Sequence, residues 1–296
     1  MSEQLPASIR DVFPFKNRFA HLSGGAKMHY VDEGEGDMIL FLHDIPLWSF
    51  YFRNLIDDLR HNFRCLAPDY CGFGLSSKDV GRNYSLRTIT DNVLELLKML
   101  NVGRFNLVMH GWGGVPGMAV ATRWPERIKR IAIFNANCFL EYRMPFLHSI
   151  YRYASLGHLA VNFLNLPARH AAHSAAIGSK SRAGYIYPYG TWSSRTPTRI
   201  FFENLPESKS CPIGRWMCEE AEKMGILSKK KCLAFWGVKD RVFPLTVVDR
   251  WKEYLEELKV HEFHSSGRFA LEDDYDTILP LIRRFLMAGV EIKLPI

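Results

Sequence analysis

Apolar positions along the chain follow two different periods. Short β-rich runs begin at Met28 (MHYVDEG), Met38 (MILFLH), Phe63 (FRCLAPD), Phe105 (FNLVMH), Arg130 (RIAIFNA), Cys232 (CLAFWG) and Val260 (VHEFH), and each predicts a strand. Between most of them apolar residues recur at three and four, clearly over Leu86 to Leu100 and Gly117 to Trp124, which predicts helices. Strand and helix in alternation predict βαβ units and a mostly parallel, doubly wound α/β sheet, whose functional groups sit at the strands' carboxyl ends. From about Cys138 to Ser228 the alternation stops in favour of helix and loop, and strand pattern resumes at CLAFWG. The expected organisation is a core over 1–137, an inserted helical cap over 138–228 lying across the strand ends, and a second part of the core over 229–296. No repeat of fixed period and no low-complexity linker interrupts it.

A chain of 296 residues is long enough to bury a sizeable core in one large domain. With 47% hydrophobic and 23% charged residues, disorder and a small disulfide-stapled module are both excluded. The net charge of +7 is dispersed, with no basic run longer than Lys229-Lys230-Lys231, so it reads as a solvated surface and not as a nucleic-acid footprint. The six cysteines (65, 71, 138, 211, 218 and 232) form no CxxC pair and no metal spacing, which predicts free thiols in a reducing compartment. The N-terminal stretch lacks an apolar signal core and no run of about 18 apolar residues occurs, so a cytoplasmic protein without a transmembrane segment is expected. Within Met144 to His173 apolar residues are interleaved with His and Arg. That pattern suits a cap packed over an apolar pocket, or a basic amphipathic helix at a membrane surface. Of His148, His158, His170 and His173 only the last two are close in sequence, without companion carboxylates, and no metal site or cofactor is expected.

Candidate chemistry centres on FNLVMHGWGGVPGM, which has the form of a strand, a tight Gly-rich turn and a helix start. Small residues suit such a turn because its central residue is held in strained backbone geometry and projects into the site, as in a nucleophile elbow. The GxGxxG of dinucleotide-binding turns is absent. Together with HDIPLWSFYFRNLI at His43, RCLAPDYCGFGLSSK at Arg64, LVMHGWGG at Leu107, PERIKRIAIFNANCF at Pro125, YPYGTWSSR at Tyr187, AFWGVKDRVFP at Ala234 and GRFALEDD at Gly267, this chain resembles the haloalkane dehalogenase group over nearly its whole length. Within the group it is most similar to the β-lactone decarboxylases of bacterial long-chain olefin biosynthesis. The resemblance implies an α/β-hydrolase core with a helical cap and a buried apolar pocket. It also implies an Asp nucleophile at the elbow, a His base after the last strand, a supporting carboxylate, and a Trp beside the nucleophile that steadies the leaving or oxyanionic group.

The carry-over fails at its centre. Where the group writes His-Asp-Trp-Gly-Gly this chain has His110-Gly111-Trp112-Gly113-Gly114, so the nucleophile position is Gly111. The base position is Arg268, in Gly267-Arg268-Phe269, and a guanidinium with a pKa above about 12 accepts no proton near neutral pH. The supporting acid, Asp240, and Trp112 are retained. The group's His-Gly-x-Pro appears as His43-Asp44-Ile45-Pro46, where the Ile45 side chain donates no hydrogen bond to an oxyanion. Asp44 is a new carboxylate near the place where one is lost, and serves either function or structure, capping a helix or pairing with a cation. His110 reads as structural, with a relocated base as the sharper alternative. Arg268 is expected to pair with Asp240, and Gly111 to tolerate a restored Asp in place. These readings imply a catalytically degenerate hydrolase that binds a small apolar or acyl-chain ligand, with Asp44, Ile45 and Trp112 as ligand contacts, or that serves as a scaffold for a protein partner. The alternative is a repurposed lyase, isomerase or cyclase using Asp44, Asp240 and Arg268 without a covalent intermediate.

Overall fold

A computed structural model describes residues 5–79, 81–143, 145, 149–174 and 177–288. Its centre is an eight-stranded sheet: β1 (Arg18–His21), β2 (Lys27–Glu33), β3 (Asp37–Leu42), β4 (Phe63–Pro68), β5 (Phe105–His110), β6 (Ile128–Phe134), β7 (Lys231–Gly237) and β8 (Leu258–Phe263). The spatial order is β1-β2-β4-β3-β5-β6-β7-β8. The β1–β2 and β2–β4 pairs are antiparallel and the rest are parallel. The doubly wound α/β class read from the pattern is the class observed, and the seven runs named above all lie on strands. Only β1 was missed, because four residues at a sheet edge carry too little periodicity to stand out.

The central strands are apolar throughout because helices cover both faces of a parallel sheet. Alternate residues go to opposite sides. Leu40, Leu42, Leu107, Met109, Ile131 and Ile133 join the core formed with the helices Leu86–Met99, Gly114–Arg123 and Thr246–Tyr254. Ile39, Phe41, Val108, Ala132 and Phe134 join the core formed with Arg53–Leu59 and Tyr275–Met287. Between β6 and β7 the described residues form helices and turns with no strand: Ala154–Gly157, a π-helical His158–Phe163, Leu166–Ser174, Ser179–Ile186, Trp192–Glu203 and Pro212–Glu222. Among the described residues no helix is long and apolar enough to cross a membrane.

One buried ion pair ties this helical segment and the short helix Ala270–Asp273 after β8 to the core. Arg53 donates to Glu272 through Nη1 (2.5 Å) and Nη2 (3.0 Å), with side chains 5% and 4% exposed. The Tyr185 hydroxyl, from the helix Ser179–Ile186, donates to the same carboxylate, and the guanidinium lies 4.4 Å over the Phe50 ring. Removing one partner abandons a desolvated charge, whereas replacing both with apolar groups does not. We therefore expect Glu272→Ala to cost about 3–5 kcal/mol in urea unfolding, and Arg53→Met/Glu272→Leu to recover most of that loss. A loss below about 1 kcal/mol for the single variant would mean that the pair is solvated and contributes little.

Candidate functional site

The sheet delivers its distinctive residues at the carboxyl ends of four parallel strands. Asp44, Ile45 and Pro46 follow β3, with a cis Ile45–Pro46 peptide; Gly111 and Trp112 follow β5, Asp240 follows β7 and Arg268 follows β8. All of these except Gly111 line one cavity of about 500 Å³. Its remaining wall includes Tyr151, Pro167, His170, Ala171, Ser174 and Phe202, from the segment between β6 and β7.

At the elbow, Gly111 adopts φ +57°, the left-handed region that side chains other than Gly rarely occupy. A Cβ placed there would lie 2.0 Å from the Asp44 Cγ and 2.2 Å from its Oδ1. The carboxylate of Asp44 therefore fills the room in which an elbow side chain would begin. Its Oδ1 accepts from the Trp112 N–H at 2.8 Å and from Arg268 Nη2 at 2.8 Å, and the same Nη2 lies 2.7 Å from Oδ2. Asp44 is buried and the Arg268 side chain is 16% exposed, its guanidinium 4.4 Å over the Phe243 ring.

This arrangement corrects two expectations. Arg268 pairs with Asp44 and not with Asp240, because Asp240 is already satisfied. Its Oδ1 accepts from the Val242 and Phe243 N–H groups (2.8 and 3.0 Å) and its Oδ2 from the Asn135 amide (3.1 Å). Burial raises the Asp240 carboxyl above the usual range, with the nearby Arg268 charge opposing. Nor is there room for an Asp at position 111 while Asp44 is present, since two carboxylates would share one volume.

The two buried histidines beside the site, His43 and His110, position backbone. His110 donates from Nε2 to the Arg268 carbonyl at 2.9 Å and stacks on Tyr51 at 4.0 Å, while its Nδ1 has no hydrogen-bond partner among the described residues. Burial pushes it down to about 4, so it is neutral at pH 7. His43 donates from Nδ1 to the Asp44 carbonyl (2.7 Å) and accepts at Nε2 from the Tyr70 N–H (3.1 Å), which fixes its tautomer, and burial lowers its pKa also. The sequence reading missed Asn135, Phe243, Tyr151, Phe202 and the cavity-lining place of His170. Asn135, at φ +37° just after β6, is the one with a visible signal, an Asn ending a strand. Among the described residues no group of three His, Cys, Asp or Glu side chains could hold a metal, and His148 lies outside them.

Comparison with known proteins agrees with the fold. Residues 37–275 match the family described as alpha/beta hydrolase fold, and the chain belongs to that family. More particularly, it is 33% identical over 285 residues to the cis-3-alkyl-4-alkyloxetan-2-one decarboxylase of Shewanella oneidensis, covering 93% of this chain and 89% of that one. It is 29% identical over 288 residues to haloalkane dehalogenase 2 of Mycobacterium tuberculosis, covering 93% and 96%. The crystal structure of a haloalkane dehalogenase from Agrobacterium tumefaciens C58 superposes with a TM-score of 0.82 at 21% identity, covering 96% of this chain and 99% of that one.

Two measurements check the site. In a double-mutant cycle by chemical denaturation, Asp44→Asn and Arg268→Gln should couple by about 1–3 kcal/mol, whereas Asp240→Asn and Arg268→Gln should add within about 0.5 kcal/mol. Additivity at the first pair would remove it as a stabilising contact. The second measurement is pH dependence. A folded His110 near 4 against 6.5 unfolded means that the unfolded chain binds the extra proton between those values, so stability present above pH 6.5 is lost as pH falls toward 4. Asp240 works in the opposite sense over its own window above 3.8. His110→Phe should therefore lose less stability between pH 7 and pH 5 than the parent, and equal slopes would place the titrating group elsewhere.

Proposed function

We propose that this α/β hydrolase homologue binds a small apolar or acyl-chain ligand in the strand-end cavity and has lost the covalent hydrolytic cycle. One observation carries the reading: among the described residues the carboxylate at the elbow is Asp44, and the group against it is a guanidinium. An ester formed on Asp44 would leave Arg268 without its counter-charge, and Arg268 accepts no proton from the water needed to hydrolyse that ester. The walls are largely apolar, from Ile45, Leu47, Trp112, Phe202, Val242 and Phe269, and the charged lining is Asp44 and Arg268 with Lys239, Asp240 and Arg241 from the loop after β7. A ligand with a hydrocarbon body and one polar end fits that distribution. In this reading residues 138–228 serve as the cap, Trp112 and Ile45 touch the ligand, and the six free cysteines suit a reducing cytoplasm. A protein partner to which the bound ligand is passed is compatible with it.

A second reading keeps catalysis. Asp44 has taken the space of the elbow side chain and lines the cavity beside Asp240, whose carboxyl burial holds toward its neutral form. That juxtaposition would serve proton transfer in a lyase, isomerase or cyclase with Arg268 orienting an anionic substrate.

The purified protein should show no turnover of haloalkanes or β-lactones. Asp44→Gly/Gly111→Asp/Arg268→His, which moves the carboxylate back to the elbow and supplies a base, should gain slow turnover, while Gly111→Asp alone should be strongly destabilised and inactive. Native mass spectrometry of freshly purified protein should reveal a bound amphiphile that Trp112→Ala or Phe202→Ala releases. Turnover by the parent protein at about 1 per second or faster would overturn the non-covalent reading. An empty cavity whose thermal stability medium-chain fatty acids leave unchanged would overturn the ligand reading.

A further inference from the structure

Residues 142–202 contain no Asp or Glu, yet carry seven Lys and Arg. The same stretch holds six of the eight large hydrophobic side chains that are exposed among the described residues: Tyr153, Leu156, Leu159, Phe163, Leu164 and Trp192. Leu156, Leu159 and Phe163 are spaced by three and four along Ala154–Phe163, and Phe163 is 66% exposed. Trp192 adjoins them: its ring stacks with His158 at 6.0 Å and its carbonyl accepts from the Asn162 amide at 3.1 Å. Isolated exposed apolar residues need no explanation, but this many on one short segment do.

The cations around this patch are only partly matched. Arg152, Lys180 and Arg199 pair with Glu207, Asp11 and Glu203, all outside the stretch. Arg143, Arg169, Arg182 and Arg195 have no ion pair among the described residues. Arg195 donates from Nη1 to the carbonyls of Asn162 (2.8 Å) and Phe163 (3.1 Å), which holds a positive charge against the backbone that carries the exposed Phe163. The Arg169 charge acts on it and depresses its pKa further after burial, so two uncompensated guanidiniums stand close together.

We propose that the surface around Ala154–Phe163 docks on a bilayer containing anionic phospholipid. Leu156, Leu159, Phe163 and Trp192 would enter the interface, and Arg169 and Arg182 would face the lipid phosphates. The argument is charge complementarity: exposed apolar side chains on a stretch that carries seven Lys and Arg and no carboxylate over 61 residues match an anionic interface. A second copy of the chain would set this positive field against itself. The helix that follows, Leu166–Ser174, contributes Pro167, His170, Ala171 and Ser174 to the cavity wall, so docking would bring the cavity close to the acyl chains of the leaflet. The docking itself does not depend on what the cavity holds.

The test is sedimentation of the full chain with vesicles of phosphatidylcholine, alone or with about one third phosphatidylglycerol. Binding should require the anionic lipid and weaken with salt. Arg169→Gln and Arg182→Gln should each weaken it about fivefold, since one charge near the surface is worth about 1 kcal/mol. Leu159→Ser/Phe163→Ser should weaken it at least tenfold with an unchanged thermal midpoint, because both side chains are exposed in the free protein. Absence of binding to the anionic vesicles, or binding indifferent to lipid charge and to these variants, would overturn the proposal. So would a concentration-dependent dimer, or a complex with an acidic protein, that the Leu159/Phe163 variant abolishes while vesicles are not bound.

Discussion

A buried carboxylate cannot stand alone, and at the centre of this protein that constraint is met by Arg268 reaching Asp44. Both oxygens of Asp44 lie within 2.8 Å of one guanidinium nitrogen, and one oxygen also receives the Trp112 N–H. Loops separated by 224 residues are thereby joined across the top of the sheet. The pair sits where the elbow side chain of a covalent hydrolase would project, so the charge balance of the site and the shape of its cavity have a single origin.

The surroundings hold that pair in register from several directions. His43 grips the carbonyl of Asp44 and His110 grips the carbonyl of Arg268, each in a neutral form enforced by burial. Phe243 supplies an aromatic face beneath the guanidinium, and Arg53 with Glu272 anchors the short helix Ala270–Asp273 that begins two residues beyond Arg268. Asp240 keeps its own network with Asn135 and two backbone N–H groups. That closed shell leaves Asp240 no need of a cation from the loop after β8.

Most of the fold was legible because buried parallel strands announce themselves as short apolar runs, and a Gly-rich strand-to-helix turn is a local feature. The residues at 111, 268 and 44 stood out for the same reason, each inside an ordered motif. What could not be read was which carboxylate Arg268 would choose. Asp44 and Asp240 both belong to loops that converge on it, and only the filled shell of Asp240 decides between them. The clash at Gly111 was hidden likewise, since it depends on a side chain from another loop pointing inward. The small edge strand β1 was lost to its length.

The mutual exclusion of side chains at 44 and 111 also constrains the history of the site. If relatives carry Gly at the first position and Asp at the second, a lineage cannot exchange the two one residue at a time without crossing one of two poor intermediates. With Asp at both, two carboxylates compete for one volume; with Gly at both, the cation at 268 faces a void. The same barrier meets any step in reverse, so once the exchange was complete, drift alone would not restore the older arrangement. On that condition the site behaves as an evolutionary ratchet, set by the 2.0 Å between one absent Cβ and one carboxylate carbon.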